Sequence, residues 1–151
     1  MERVDPQKAA RVWQRVHTEN PSPEQGLLSL IAQEWADAST YLQLSRRLQG
    51  KSATVLRTLY EQEQTHLACL KGIYTLITGT HPKVASVPLP QEDIEQTLRR
   101  CYGRAMRCLA AYEARSTDPE YGPVFARLAD REREHCRLLL ELLGKLTEKA
   151  D

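Results

Sequence analysis

The 151-residue chain carries 21 Lys and Arg against 20 Asp and Glu, a formal net charge of +1. That balance leaves no global field to gather nucleic acid or an acidic membrane, so neither is expected as a partner. Hydrophobic residues at 41% and charged residues at 27% describe a globular chain with a sizeable core, and a single Phe with two Trp argues against an aromatic-rich β-sandwich.

The first residues, MERVDPQKAARVWQRV, are charged and lack the apolar segment of a secretory signal; a cytoplasmic location is expected. No apolar run reaches the roughly 18 residues of a membrane span. Ala9, Val12, Trp13 and Val16 recur at helical spacing and predict a short amphipathic helix over 6–16, within an N-terminal segment 1–22 that the NPSP stretch closes. A bundle is expected over 23–151.

Its first helix is predicted from about Pro23 to Leu48, with Leu27, Leu30, Ile31, Ala38, Tyr41 and Leu48 on one stripe. Gly50 is read as its end and Ser52 as the cap of the next helix. That second helix runs to about Thr78, with Val55, Leu56, Leu59, Leu70, Ile73, Tyr74 and Ile77 inward. The segment THPKVASVPLPQ, with three prolines, is a linker. At roughly 3.3 Å per residue it is long enough to run the length of a bundle.

The third helix is predicted over Glu92–Ser116 around Ile94, Leu98, Cys101, Ala105, Cys108, Leu109 and Tyr112. After the breaker-rich STDPEYGP turn, a fourth follows over Pro123–Leu146 around Phe125, Leu128, Leu139, Leu142, Leu143 and Leu146. Two helical hairpins joined by one crossover make an all-α four-helix bundle. The halves also resemble each other, E34WADASTY41 with E63QTH66 against A105MRCLAAY112 with E132REH135, which suggests an internal repeat. The four cysteines form no Cys-x-x-Cys pair and read as small buried hydrophobes.

Three carboxylates break the apolar stripes. At 100° per residue, Glu34 sits between Leu27 and Ala38, Glu63 between Leu59 and Leu70, and Glu132 between Leu128 and Leu139. A lone ionised carboxylate there is costly unless it is paired or bound to a cation. Glu63 with His66 and Glu132 with His135 are i, i+3 pairs, so each pair can meet one ion. Carboxylate oxygen mixed with imidazole nitrogen suits iron or manganese. Glu61, Glu95, Glu134 and Glu141 fall on solvated faces.

Glu34, the Glu63/His66 pair and the Glu132/His135 pair resemble the ligand set of ferritin-like di-iron proteins, in which two helices each give a Glu and two each give a Glu-x-x-His. Within that superfamily, Glu34-x6-Tyr41 and DPEYGPVFARLADREREH look most like rubrerythrins, without their rubredoxin module. The resemblance covers about Leu27 to Leu146. It implies two Fe ions (Mn is the alternative) bridged by Glu63 and Glu132, with His66 and His135 on one ion each. Glu34 is then a terminal ligand, and Tyr41 and Tyr112 are candidates to hydrogen-bond the ligand carboxylates.

The pattern departs at Ala105, where matching Tyr112 to Tyr41 places a glutamate. Glu113 is the nearest carboxylate, roughly 80° away in helical phase, and is the candidate fourth carboxylate. Completion by water, a single strongly held metal, or a contribution from Cys108 are the alternatives. The function implied is reduction of peroxide or O₂ with electrons from an external donor, in a homodimer or larger homo-oligomer. Two other readings stand beside it: a ferroxidase or iron-storage subunit, and a metal-poor bundle that serves as a binding or structural module.

Overall fold

The computed structural model describes residues 22–84 and 91–149. The expected N-terminal helix with Val12, Trp13 and Val16 and the middle of the proline-rich linker lie outside the described residues. The described residues form four helices and no strand: α1 Pro23–Arg47, α2 Gly50–Thr78, α3 Ile94–Arg115 and α4 Gly122–Lys149.

Each end has a local cause. Ser22 Oγ accepts from the Gln25 amide at 3.3 Å and Pro23 opens α1, where its missing N–H costs nothing. Only Leu48 and Gln49 separate α1 from α2. Gly50 does not terminate α1: it is the first residue of α2, and its φ of 66° is a left-handed conformation that lets the chain reverse in so short a link. Ser52 is therefore already inside α2, whose start has no side-chain cap. At the other end Gly79, φ 73°, returns its N–H to Thr75 O at 2.8 Å.

Asp93 caps α3 by accepting from the Gln96 amide at 2.7 Å. Between α3 and α4, Asp118 Oδ1 accepts from the amides of Glu120 (2.9 Å) and Tyr121 (2.8 Å). A Cβ on Gly122 would stand 2.5 Å from the Ser116 carbonyl oxygen, so only glycine lets α4 begin this close to the end of α3.

α1 packs along α2 and α3 along α4, and the two hairpins meet through α1 against α3 and α2 against α4. The apolar core forms two clusters. One gathers Leu27, Ile31, Leu70, Ile73, Tyr112 and Phe125; the other gathers Tyr41, Leu44, Leu56, Leu59, Leu98 and Leu139. Along α2 and α4 the buried carboxylate lies between a stretch of one cluster and a stretch of the other; on α1, Glu34 lies between Ile31 and Ala38 of the first cluster, ahead of Tyr41 and Leu44 of the second. The polar groups therefore share one layer at mid-bundle, with apolar side chains on both sides. Ile77, expected inward, is exposed in the last turn of α2.

Candidate metal centre

Five polar side chains meet in that layer. Glu34, Glu63, Glu132 and His135 are 0% exposed and His66 is 3% exposed. They come from three helices: Glu34 from α1, Glu63 and His66 from α2, Glu132 and His135 from α4. The helical pitch places each Glu one turn before its His, so both reach into the same layer.

The imidazoles cross the hairpins. His66 Nδ1 lies 3.0 Å from Glu34 Oε2, 3.4 Å from Glu132 Oε1 and 3.8 Å from Glu63 Oε2. His135 Nδ1 lies 2.8 Å from Glu63 Oε1 and 3.8 Å from Glu132 Oε1. The two rings stack with centroids 5.3 Å apart and planes at 16°. The arrangement is two nests sharing Glu63 and Glu132: His66 with Glu34 in one, His135 in the other.

Close as these atoms are, most are not hydrogen-bonded. Both oxygens of Glu63, both of Glu132, Glu34 Oε1 and His135 Nδ1 are sealed from solvent without a hydrogen-bond partner. Orphaned buried polar atoms cost on the order of 1–3 kcal/mol each. Metal–ligand bonds of roughly 2.1 Å put neighbouring donors about 3 Å apart, the range found here. A shared cation therefore accounts for donors that face one another without bonding.

Hydrogen bonding at the far side of His135 sharpens this. Its Nε2 donates to Gln62 Oε1 at 2.7 Å, which leaves Nδ1 as a lone pair aimed at two carboxylates. That contact needs a proton or a metal ion between the partners. Gln62→Leu is expected to weaken binding of one ion by about 10–100-fold, the usual effect of removing a group that orients a metal-binding His. Calorimetric titration of the metal-free protein with Mn(II) measures it, and unchanged affinity would remove Gln62 from the site.

In the absence of metal, protons mediate the cluster. Burial acts to raise Glu34, but its contacts with Glu63 and His66 outweigh that and hold it down at about 2. Burial and the Glu34 charge push Glu132 up to about 8 and Glu63 well above the carboxylate range. For His66, burial is overcome by Glu132 and Glu34, which raise it to about 9. His135 is lowered to about 4 by burial and by His66. The site is thus a dry cluster of carboxylates and imidazoles whose charges balance only with bound protons or cations.

The site residues expected from sequence separate into groups. Glu34, Glu63, His66, Glu132 and His135 are brought together. Glu113 is not: it is exposed, and it accepts from Arg133 Nη2 at 2.8 Å across the α3–α4 hairpin. Its phase turns it out of the bundle, and a surface arginine holds it there. Tyr41 and Tyr112 are fully buried, but neither hydroxyl has a hydrogen-bond partner, so the expected bonds to ligand carboxylates are not formed.

Two residues went unnoticed in the sequence. One is Gln62. The other is Asp37, 0% exposed, whose Oδ1 accepts from Arg104 Nε at 2.5 Å. Burial raises Asp37 to about 7 against the pull of Arg104. Asp37, Glu34 and Cys108 also offer donor atoms that all lie within 4.8 Å of one another. The signal available for Asp37 was its position one turn after Glu34 on the same helix.

The residues fit a dimetal centre unequally. One ion would be held by Glu34, Glu63, His66 and Glu132, a complete set of three carboxylates and an imidazole. The other would share Glu63 and Glu132 and take His135, with Ala105 where α3 would add a carboxylate.

A solved structure described as ferritin-like, diiron-carboxylate proteins from Bacillus anthracis str. Ames superposes on this chain with a TM-score of 0.68. The match covers 80% of this chain and 94% of that one at 19% sequence identity, a likeness that establishes the ferritin-like four-helix fold. No protein-family model and no curated protein matches the sequence.

Proposed function

We propose that the protein is a ferritin-like dimetal carboxylate protein, close in kind to rubrerythrins, that reduces peroxide or O₂. The observation that carries the reading is the set of orphaned donor atoms: five carboxylate oxygens and the Nδ1 of His135, sealed in one layer of the bundle. Fold likeness to a diiron-carboxylate protein and the Glu34-x6-Tyr41 and DPEYGPVFARLADREREH stretches support it. Oxygen donors mixed with imidazole suit iron or manganese.

Reduced metal ions, when bound here, would supply the electrons for O–O bond cleavage. The chain does the rest. Glu63 and Glu132 each lie within 3.8 Å of the Nδ1 atoms of both His66 and His135 and would be the ligands shared by two ions. The stacked rings and the Gln62 contact fix the nitrogen donors. Apolar clusters on both sides keep bulk water from the layer. Tyr41 and Tyr112 keep their protons, because burial raises both hydroxyls far above their usual value.

A groove of about 460 Å³ between α2 and α4 is lined by Gln62, Thr65, His66, Cys69, Arg127 and Arg131, among others. It brings solvent to the edge of His66, wide enough for peroxide or dioxygen. The 151 residues contain no Cys-x-x-Cys pair, and the reading assigns the return of electrons to an external donor.

Elemental analysis of protein purified without oxygen tests the reading. About one to two Fe or Mn per chain are expected, and Glu63→Ala or Glu132→Ala should lose them. Protein that is metal-free and refuses Fe(II) overturns it. Oxidation of the reduced, loaded protein by peroxide, in the absence of any cage-sized assembly, supports reduction over iron storage.

A further inference from the structure

Ala105 is where the duplicated pattern fails, and Asp37 faces the same stretch of α3 through Arg104. Asp37 lies one turn beyond Glu34 on α1, faces α3, and is fully buried. It faces α3 on both sides of the missing carboxylate: Oδ1 takes the Arg104 Nε–H at 2.5 Å, and a carboxylate oxygen lies within 4.8 Å of donor atoms of both Cys108 and Glu34. Arg104 precedes Ala105 and Cys108 follows it by one turn, so Asp37 faces the stretch of α3 that carries Ala105. Its second oxygen, Oδ2, is sealed from solvent without a partner.

We infer that Asp37 supplies the carboxylate that Ala105 does not: Oδ2 completes the nest of Glu63, Glu132 and His135 around the second ion, while Arg104 anchors Oδ1. The inference rests on the dimetal reading above. A single Arg104 N–H, from Nε, holds Oδ1, while Nη2 turns to Cys101 Sγ, so Oδ2 is left available. Each ion then has one terminal carboxylate, both of them from α1, where the duplicated pattern would draw one from α1 and one from α3.

Metal stoichiometry tests this without reference to turnover. Metal-free protein is titrated with Co(II) by calorimetry, and bound metal is counted by elemental analysis after desalting. The wild type is expected to take two ions per chain. Asp37→Asn takes one, with the affinity of the first ion unchanged, and Asp37→Asn/Ala105→Glu takes two again. A wild type that binds only one ion, or an Asp37→Asn variant that keeps two at wild-type affinity, overturns the inference and leaves the metal site itself standing. A wild type that binds none overturns the dimetal reading as well. Anomalous diffraction from Mn(II)-loaded wild-type crystals decides the case independently of how the variants fold. A second ion within about 2.3 Å of Asp37 Oδ2 is expected, and a second ion that Asp37 does not touch refutes the assignment.

Discussion

Between pH 7 and pH 9 the metal-free protein is expected to lose thermal stability steadily, while the metal-loaded protein holds its melting temperature. The sign follows group by group. His66 is raised to about 9 from an unfolded value of 6.5, so the stability it contributes is full below 6.5 and is lost as pH rises through 9. Glu132, raised from 4.5 to about 8, loses stability as pH climbs through that window, and Glu63 is shifted in the same direction.

Two groups act oppositely, but lower on the scale. Glu34, held at about 2, contributes stability above 4.5 that is lost only as pH falls through 2. His135, lowered from 6.5 to about 4, destabilises the fold only as pH falls below 6.5. Above pH 7 only His66, Glu132 and Glu63 contribute, and all three push the same way. One proton held by the folded but not the unfolded chain is worth about 1.4 kcal/mol per pH unit. Two or three such groups make a loss of a few kcal/mol by pH 9, roughly 5–15 °C in a chain of this size.

Bound cations replace those protons, so the melting temperature of the loaded form stays level and the gap between the two forms widens with pH. Calorimetric scans of both forms at half-unit intervals measure it. A metal-free protein whose melting temperature rises over this range would mean that the cluster is not held together by protons, and the burial argument would fail with it.

How much of this could be read in the sequence differs from residue to residue, for physical reasons. The helices and the inward set of Glu34, Glu63, His66, Glu132 and His135 follow from phase alone, because a 3.6-residue period fixes which face each side chain takes. Glu113 shows the limit of that reasoning. A phase difference of roughly 80° leaves open whether a flexible side chain swings in, and what decides is Arg133 on another helix.

Asp37 shows the converse. Its phase admits either face, and only a partner 67 positions away on α3, Arg104, reveals that it is held inside. Gly50 was misplaced for a local reason: a left-handed glycine commonly ends a helix, and here it begins one. Contacts between helices distant in sequence are what periodicity cannot encode, and the places of Glu113 and Asp37 are set by those contacts.

If the cluster exists for metal rather than for folding, removing its polarity should strengthen the fold. Replacing Glu34, Glu63, His66, Glu132 and His135 together by leucine is expected to raise the stability of the metal-free chain by about 1–4 kcal/mol or more. Leucine is close in volume to Glu and His, so it can occupy the layer and join the two apolar clusters into one. The gain has two sources. Six orphaned donor atoms disappear, and apolar area between Ile31, Leu59, Leu67 and Leu139 becomes continuous.

The Asp37–Arg104 pair is left in place in this variant, because Oδ1 already has its partner and breaking a buried pair costs about 3–5 kcal/mol. Single replacements behave differently. Glu63→Leu alone leaves Glu34, Glu132 and both imidazoles with one neighbour fewer, so its gain is smaller or absent. Urea unfolding of the metal-free proteins at pH 7 measures the difference, with the midpoint rising at constant slope in the five-site variant.

Metal binding vanishes in the same variant, so the metal-loaded wild type regains its advantage once ions are added at many times their Kd. A five-site variant less stable than the metal-free wild type would show that the polar layer itself holds the bundle together. The orphaned atoms would then have to be explained by folding rather than by a ligand.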